Sequence, residues 1–237
     1  MKSISKLMTV LLMSALLWSC QKQTCELKAD LDALYKMDIP FDMPAYQLPE
    51  IPDYQVSLND FGGNGNGVAD NTKAFADAIA HIKAKGGGTL LVEPGIYSTG
   101  PIEFVSNFCL NLERGAVILF STDHSKYALQ KTTFEGLTAY RCQHPISGEN
   151  LENIAIVGEG VIDGQGDSWR PVKKGKMTAG QWRNLLAKEG SMTNAKGDIW
   201  FPSKGGHDGY VDAAWRNSQN PDSLEMIKDF FRPQLLN

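Results

Sequence analysis

The chain has few cysteines, no long apolar run and no excess of positive charge. Its 4 cysteines among 237 residues match neither a disulfide framework nor a metal-binding spacing. Its longest apolar run, Leu7–Trp18, is shorter than the roughly 20 residues that span a bilayer. The formal net charge is −4, which argues against general affinity for polyanions. We therefore expect no metal, no cofactor and no nucleic-acid partner.

The N-terminus has the features of a lipoprotein signal. Lys2 and Lys6 precede the apolar run, which ends in the lipobox-like sequence Leu17-Trp18-Ser19-Cys20. This pattern predicts a signal peptide at 1–19 and lipidation of Cys20. We expect an exported protein held by its lipid to the bacterial cell envelope, on the periplasmic or surface face of the outer membrane. An uncut membrane anchor is the alternative.

Residues 20–55 are predicted to be a tether and extended lead-in, because closely spaced prolines exclude a helix there. The Gly- and Asn-rich stretch 59–71 is predicted to be a loop; its oxygens lack the order of a calcium site, which favours turn chemistry. The clearest helix is 72–85, where Asn71 or Thr72 can cap the start. Its apolar face consists of Phe75, Ala78, Ile79 and Ile82.

Short apolar runs recur along the middle of the chain. Leu90 and Val92 are followed 20 residues later by Leu110 and Leu112. A step of about 44 residues maps one longer apolar pattern onto another: Leu110, Leu112, Val117 and Ile118 map onto Ile154, Ile156, Val161 and Ile162. We interpret these steps as one and roughly two turns of a coil of about 22 residues. This predicts a parallel β-helix whose first coil is covered by the helix at 72–85.

Four sequence blocks carry a family resemblance. They lie at 56–80, 86–100, 112–121 and 153–169, and include G-G-G-T-L-L-V-E-P-G-I-Y-S-T-G and N-I-A-I-V-G-E-G-V-I-D-G-Q-G-D-S-W. Together they resemble the N-terminal half of glycoside hydrolase family 28, the polygalacturonase-like enzymes that hydrolyse pectin.

The resemblance implies a right-handed, single-stranded parallel β-helix of the pectate-lyase-like superfamily with an N-terminal capping helix. The β-helix would occupy 56–237, with an insertion at about 170–225 and an excursion at 123–145 that helps to wall the substrate cleft. The implied substrate is a galacturonan-type pectic polysaccharide, and the implied full-length state is a monomer.

The catalytic motifs of the resembled family do not occur in this sequence. The resemblance implies inverting hydrolysis by paired Asp carboxyls, supplied by Asn-Thr-Asp and Asp-Asp with Gly-His-Gly and Arg-Ile-Lys nearby, and none of the four motifs is present. We therefore assign no catalytic residue. We expect an inactive chain, truncated at the C-terminus about one coil before the catalytic coils.

A basic cluster is the best local candidate for contacting an acidic sugar chain, because guanidinium and ammonium groups pair with carboxylates. It consists of Arg170, Lys173, Lys174 and Lys176, although solvated loop charges are the simpler explanation. Trp169 and Trp182 are candidates for stacking on sugars or for packing. Two other functions stay open: a β-helix polysaccharide lyase using calcium, and a noncatalytic carbohydrate-binding or adhesive β-helix.

Overall fold

The computed structural model describes residues 40–41, 47–134, 136–216 and 220–237. The predicted signal peptide, Cys20 and most of the predicted tether lie outside these ranges. Residues 49–237 belong to one unit, and all that follows concerns this unit. Within the described ranges, no helix combines the length and the apolar character that crossing a membrane requires.

Strands predominate in the first part of this unit and short helices in the last part. The strands are β1 Gln55–Ser57, β2 Asn66–Asp70, β3 Gly88–Val92, β4 Gly95–Thr99, β5 Ile102–Glu103, β6 Phe108–Leu112, β7 Ala116–Phe120, β8 Leu129–Phe134, β9 Leu137–Cys142, β10 Ile146–Ser147, β11 Ile154–Gly158, β12 Val161–Asp163, β13 Val172–Lys173, β14 Met192–Thr193 and β15 Ile199–Phe201. The helices are α1 Thr72–Ala84, α2 Ala179–Leu186, α3 Lys204–Val211, α4 Ala213–Arg216 and α5 Pro221–Met226.

Two four-stranded parallel sheets organise the strands. Their orders are β1-β3-β6-β11 and β12-β7-β4-β2. The chain alternates between the sheets, since β3 leads to β4, β6 to β7 and β11 to β12, and each later pass adds one strand beside the previous one. A third parallel pair joins β5 to β10, and Leu236 forms a further parallel bridge to Ile146. The prediction of short parallel strands in sheets is confirmed.

The apolar core lies between these strands and α1. Leu90 and Leu110 pair in register and are fully buried, as are Ile118 and Phe120 on β7. Helix α1 contributes its predicted apolar face to the same core, with Phe75, Ala78, Ile79 and Ile82 all buried. Full burial of such side chains stabilises the fold by about 1.5–3 kcal/mol each.

The start of α1 differs from the prediction. The Asn71 side chain makes no capping bond; instead it is buried and donates to the carbonyl oxygens of Asn64, Ala69 and Ser98. The Oδ1 atom of Asp70 accepts from the backbone N–H of Thr72 at 2.9 Å. The carboxylate therefore satisfies the free amide at the helix start.

The 20-residue step is confirmed, because Leu90 pairs with Leu110. The 44-residue step gives the wrong register between β6 and β11, and its interpretation as two turns of the coil is also wrong. Leu110 pairs with Ile156, not Ile154, and this slip of two residues keeps the same face of the strand inward. Val117 does pair with Val161 as predicted. Since β11 is the direct neighbour of β6, the step is one pass lengthened by the β8–β9 hairpin rather than two turns.

Strands β2 and β4 were not predicted. Strand β2 lies within the predicted loop 59–71, where it pairs with β4 through Asn66–Ile96 and Asp70–Ser98 with an irregular register. It alternates between exposed and half-buried residues, so backbone pairing rather than apolar burial holds it. Gly, Asn and Asp are uncommon in strands, so the sequence of this segment gives no indication of an edge strand.

Candidate functional site

A cleft of about 1030 Å³ opens beside the β8–β9 hairpin. Its walls come from that hairpin, from the segment after β12, and from residues of β15, α3 and the C-terminal stretch. The lining residues are Lys131, Thr138, Ala139, Tyr140, Arg141, Trp169, Pro171, Lys173, Ile199, Phe201, Pro202, Gly206, Tyr210, Asp229, Phe230, Phe231 and Arg232. The cleft is therefore built from segments about 100 residues apart in sequence.

The C-terminal stretch forms one wall because it runs along β9 and β10. The backbone N–H of Cys142 donates to the Phe231 carbonyl at 2.7 Å, and an Arg141 guanidinium N–H donates to the Arg232 carbonyl at 2.6 Å. Further along, the N–H of Ile146 donates to the Leu235 carbonyl at 3.0 Å. These bonds fix Phe231 and Arg232 at the cleft wall.

The cleft has an excess of positive charge. Among its described lining residues, the side chains of Lys131, Arg141, Lys173 and Arg232 are basic and that of Asp229 is acidic. Burial, followed by repulsion from Arg170, lowers the pKa of Arg232. Guanidinium groups stay protonated at neutral pH even so, and the cleft therefore attracts anions.

The predicted basic cluster is only partly assembled at this cleft. Lys173 lines it, and Arg170 lies close enough to Arg232 to affect its pKa. Lys174 and Lys176 belong to the short 3₁₀ helix that follows β13 and are not among the lining residues. All four side chains are exposed. Sequence reasoning missed Lys131, Arg141 and Arg232, because they are isolated cations that only the tertiary fold brings together.

The two candidate tryptophans have packing roles. Trp169 is 5% exposed, stacks on His124 with ring centroids 3.6 Å apart, and meets the edge of Tyr127. Trp182 is buried with Leu185 and Trp200 in a separate small cluster. The aromatic side chain best placed to meet a sugar is Tyr210, which lines the cleft and is 42% exposed.

The acidic residue of the cleft is held in its ionised form. Burial raises the pKa of Asp229, but hydrogen bonds from His124 and Ser203 outweigh it, and the net pKa is lowered. A carboxyl group in this state cannot act as a general acid at neutral pH. Asp229 therefore holds neighbouring donors in place rather than delivering a proton.

The polar residues of the 59–71 segment make turn contacts. The Asn66 Oδ1 atom accepts from the backbone N–H groups of Val68 and Ala69, and the Asn71 Oδ1 atom accepts from Asn64 N–H. Across the described ranges, no group of three His, Cys, Asp or Glu side chains is arranged to hold a metal.

Comparison with known proteins identifies relatives of part of the chain. No family model matches the chain. A "Probable polygalacturonase" of Vitis vinifera is 34% identical over 173 residues, which is 69% of this chain and 33% of the relative. A "Polygalacturonase" of Malus domestica is 34% identical over 122 residues, or 50% of this chain and 24% of the relative. The chain thus spans a third or less of the length of these curated relatives.

A solved structure of a hyperthermoactive exopolygalacturonase from Thermotoga maritima aligns with 63% of this chain and 32% of its own, at 32% identity and a TM-score of 0.48. The sequence matches to these two curated proteins cover 69% and 50% of the chain. Over that part of its length the chain is a homologue of the polygalacturonases, and its resemblance to glycoside hydrolase family 28 is confirmed.

Proposed function

We propose that the chain belongs to a pectin-degrading glycosidase and that its basic cleft binds galacturonan. The observation that carries the proposal is the cleft lined by Lys131, Arg141, Lys173 and Arg232 with a single described carboxylate, in a chain homologous to polygalacturonases. Galacturonan carries a carboxylate on each unesterified sugar, and basic side chains pair with such groups.

The alternation of strands between two parallel sheets supports a right-handed parallel β-helix as the architecture. Helix α1 supports the capping proposal, because its buried face joins the same core as β3 and β6. It would shield the apolar interior at the β1 end of the sheets, where an open β-helix exposes strand edges.

Calorimetric titration with a tetragalacturonate tests the binding proposal. We expect the double variant Lys131→Ala/Lys173→Ala to bind at least about tenfold more weakly, and binding of the unaltered chain to weaken with added salt. Lys174→Ala/Lys176→Ala is the matched control, since it removes the same charge beside the cleft but outside its lining. If both double variants lost the same affinity for tetragalacturonate, the loss would be due to net charge alone. That result would refute the assignment of the cleft as the binding site.

Incubating the chain with the same tetragalacturonate and analysing the products distinguishes a glycosidase, a lyase and a noncatalytic binding protein. New reducing ends would identify a glycosidase, an unsaturated uronate product a lyase, and binding without turnover a noncatalytic carbohydrate-binding protein. A noncatalytic carbohydrate-binding protein is the second candidate, because the lowered pKa of Asp229 leaves the described cleft without a proton donor of the carboxylic type.

We also propose that the protein is exported and anchored to the cell envelope by a lipid on Cys20. The support is the lipobox-like sequence after a short apolar run. Fractionation of cells expressing the unaltered chain and Cys20→Ala tests it, with Thr24→Ala as the control. We expect only Cys20→Ala to leave the membrane fraction, and retention of Cys20→Ala in that fraction would reject the anchor.

A further inference from the structure

A serine, a histidine and an aspartate lie in series beside the cleft. The Nδ1 atom of His124 is 3.1 Å from Oδ1 of Asp229, and its Nε2 atom is 3.3 Å from Oγ of Ser168. When Nδ1 carries the proton and donates to Asp229, Nε2 is free to accept from the serine hydroxyl. This is the order of groups that activates a serine nucleophile.

A stacking contact and hydrogen bonds at both ring nitrogens hold the His124 imidazole in one orientation. It stacks on the Trp169 indole with an interplanar angle of 13°. His124 and Asp229 are 14% and 17% exposed, so little water competes for the bond between them. Asp229 also accepts from Ser203, which holds the carboxylate still and ionised while it orients His124.

Ser168 is presented on a tight turn. It ends a 3₁₀ helix that begins after Gln165, whose φ of 43° and ψ of 44° are left-handed; a non-glycine residue seldom adopts this conformation, which is common at functional sites. The Ser168 Oγ atom is also 2.9 Å from the Gln165 carbonyl. Rotation of the hydroxyl about the Cβ–Oγ bond therefore redirects its proton from the Gln165 carbonyl to Nε2 of His124.

The nucleophile and the base both line a second cavity, of about 600 Å³. Its charged lining residues are Asp123, Asp167, Glu189 and Lys188. Three carboxylates repel an anionic ligand, whereas Lys188 offers one ammonium group that can balance a developing oxyanion. The lining thus favours a small uncharged group that becomes negative only during reaction.

We propose that Ser168, His124 and Asp229 form an esterase centre for small uncharged carboxylic esters. The Oγ atom forms a bond to the acyl carbon while its proton passes to Nε2. Collapse of the tetrahedral intermediate breaks the bond to the alcohol oxygen, which takes that proton. Water then attacks the acyl-serine by the same route, releasing the acid and restoring Ser168. Asp229 is the positioning residue, and no oxidant or cofactor is consumed.

The geometry also points to where the ester is carried. Trp169 and Asp229 line the basic cleft, while Ser168 and His124 line the cavity, and Pro202 lines both. If the cleft binds galacturonan, as proposed above, we expect the substrate to be an acetyl or methyl ester on that chain. This extension rests on the proposed function, whereas the esterase centre itself does not.

Hydrolysis of p-nitrophenyl acetate and labelling by a fluorophosphonate test the centre without any sugar. We expect the probe to label Ser168, located by peptide mass spectrometry, and Ser168→Ala to lose at least about 100-fold in kcat/KM. Ser147→Ala, a serine on β10 outside both cavities, should keep its rate. Absence of label on Ser168, or equal rates in Ser168→Ala and the unaltered chain, would overturn the proposal.

The dependence of kcat/KM on pH shows whether His124 acts as a general base or has only a structural role. We expect kcat/KM to rise with pH through one deprotonation, and His124→Gln to abolish that dependence along with most of the rate. Lys188→Met should lower kcat by at least about tenfold while Lys174→Met leaves it unchanged. Near-ultraviolet circular dichroism identifies any variant that fails to fold. A folded His124→Gln with an unaltered pH profile would exclude His124 as the base.

Discussion

The Nζ atom of Lys126 lies 2.6 Å from Oδ2 of Asp70, joining the segment after β7 to the last residue of β2, two positions before α1. The other oxygen of Asp70 accepts from the N–H and hydroxyl groups of Thr72. Hydrogen bonds from Lys126 and then Thr72 lower the pKa of Asp70 from 3.8 to about 2. One carboxylate thus both caps the helix and ties it to a segment 56 residues away.

We predict that Asp70→Asn lowers the free energy of unfolding by about 1 kcal/mol at pH 7. A carboxylate with a lowered pKa adds stability above its unfolded pKa and loses it as the pH falls through its folded pKa. The difference between the two proteins should therefore shrink between about pH 4 and pH 2. The side chain is 55% exposed, so solvent screening keeps the effect small. Urea titrations across this range measure it.

Asp77→Asn is the control for Asp70→Asn, because Asp77 pairs with Lys73 on the exposed face of the same helix but caps nothing. Such a pair contributes about 0.3–0.5 kcal/mol. A loss in Asp77→Asn as large as that in Asp70→Asn would mean that helix surface charge, not the bond to Thr72 and Lys126, matters.

We predict that Leu110→Ala costs about 2–5 kcal/mol, because Leu110 is fully buried between two neighbouring strands. Its partner in register, Ile156, is 40% exposed, and Ile156→Ala should cost no more than about half as much. Chemical denaturation of both variants provides the comparison. Similar losses would show that Ile156 is as buried as Leu110 in solution.

We predict that Gly158→Ala is destabilising by more than about 1 kcal/mol. Gly158 ends β11 with a φ of 101°, and an added Cβ would lie 2.0 Å from the Leu112 carbonyl oxygen. A side chain there meets both backbone strain and a steric clash. Gly175→Ala is the control, since nothing lies within 4 Å of its Cβ position. Equal thermal unfolding midpoints for the two variants would mean that the backbone between β11 and β12 does not adopt this conformation at Gly158.

The sequence predicted those parts of the fold that depend on local apolar patterns. Phe75, Ala78, Ile79 and Ile82 recur with the helical period, and Leu90 and Leu110 recur at the coil length, so α1 and the β3–β6 register could be anticipated. Strand β2 could not, because its pairing uses backbone groups in a Gly-rich segment. The pairing of Leu110 with Ile156 was missed because the β8–β9 hairpin lies between their strands. The apolar pattern of the sequence does not show how many residues the hairpin adds to the spacing.

The cleft was less predictable than the fold. Lys173 belongs to a visible run of cations, but Lys131, Arg141 and Arg232 are single charges whose proximity depends on the C-terminal stretch running along β9. The series Ser168–His124–Asp229 likewise spans 105 residues of sequence and belongs to no local motif. Such sites need the tertiary structure, since three short turns bring their members together.

Cys142 is a buried free thiol on β9, and its reactivity reports on the wall of the cleft. Burial, with a further contribution from Asp229, raises its pKa to about 12, and its Sγ–H donates to the Lys228 carbonyl at 3.3 Å. Thiolate is the reactive form, so at pH 8 the folded chain should alkylate at Cys142 at least about 100-fold more slowly than the chain in guanidinium. Iodoacetamide labelling followed by mass spectrometry of the Cys142 peptide measures both rates. Rapid alkylation of the folded chain would mean that the stretch from Lys228 to Arg232 does not cover β9, and without that contact the cleft would lose Arg232, Phe231 and Asp229 together.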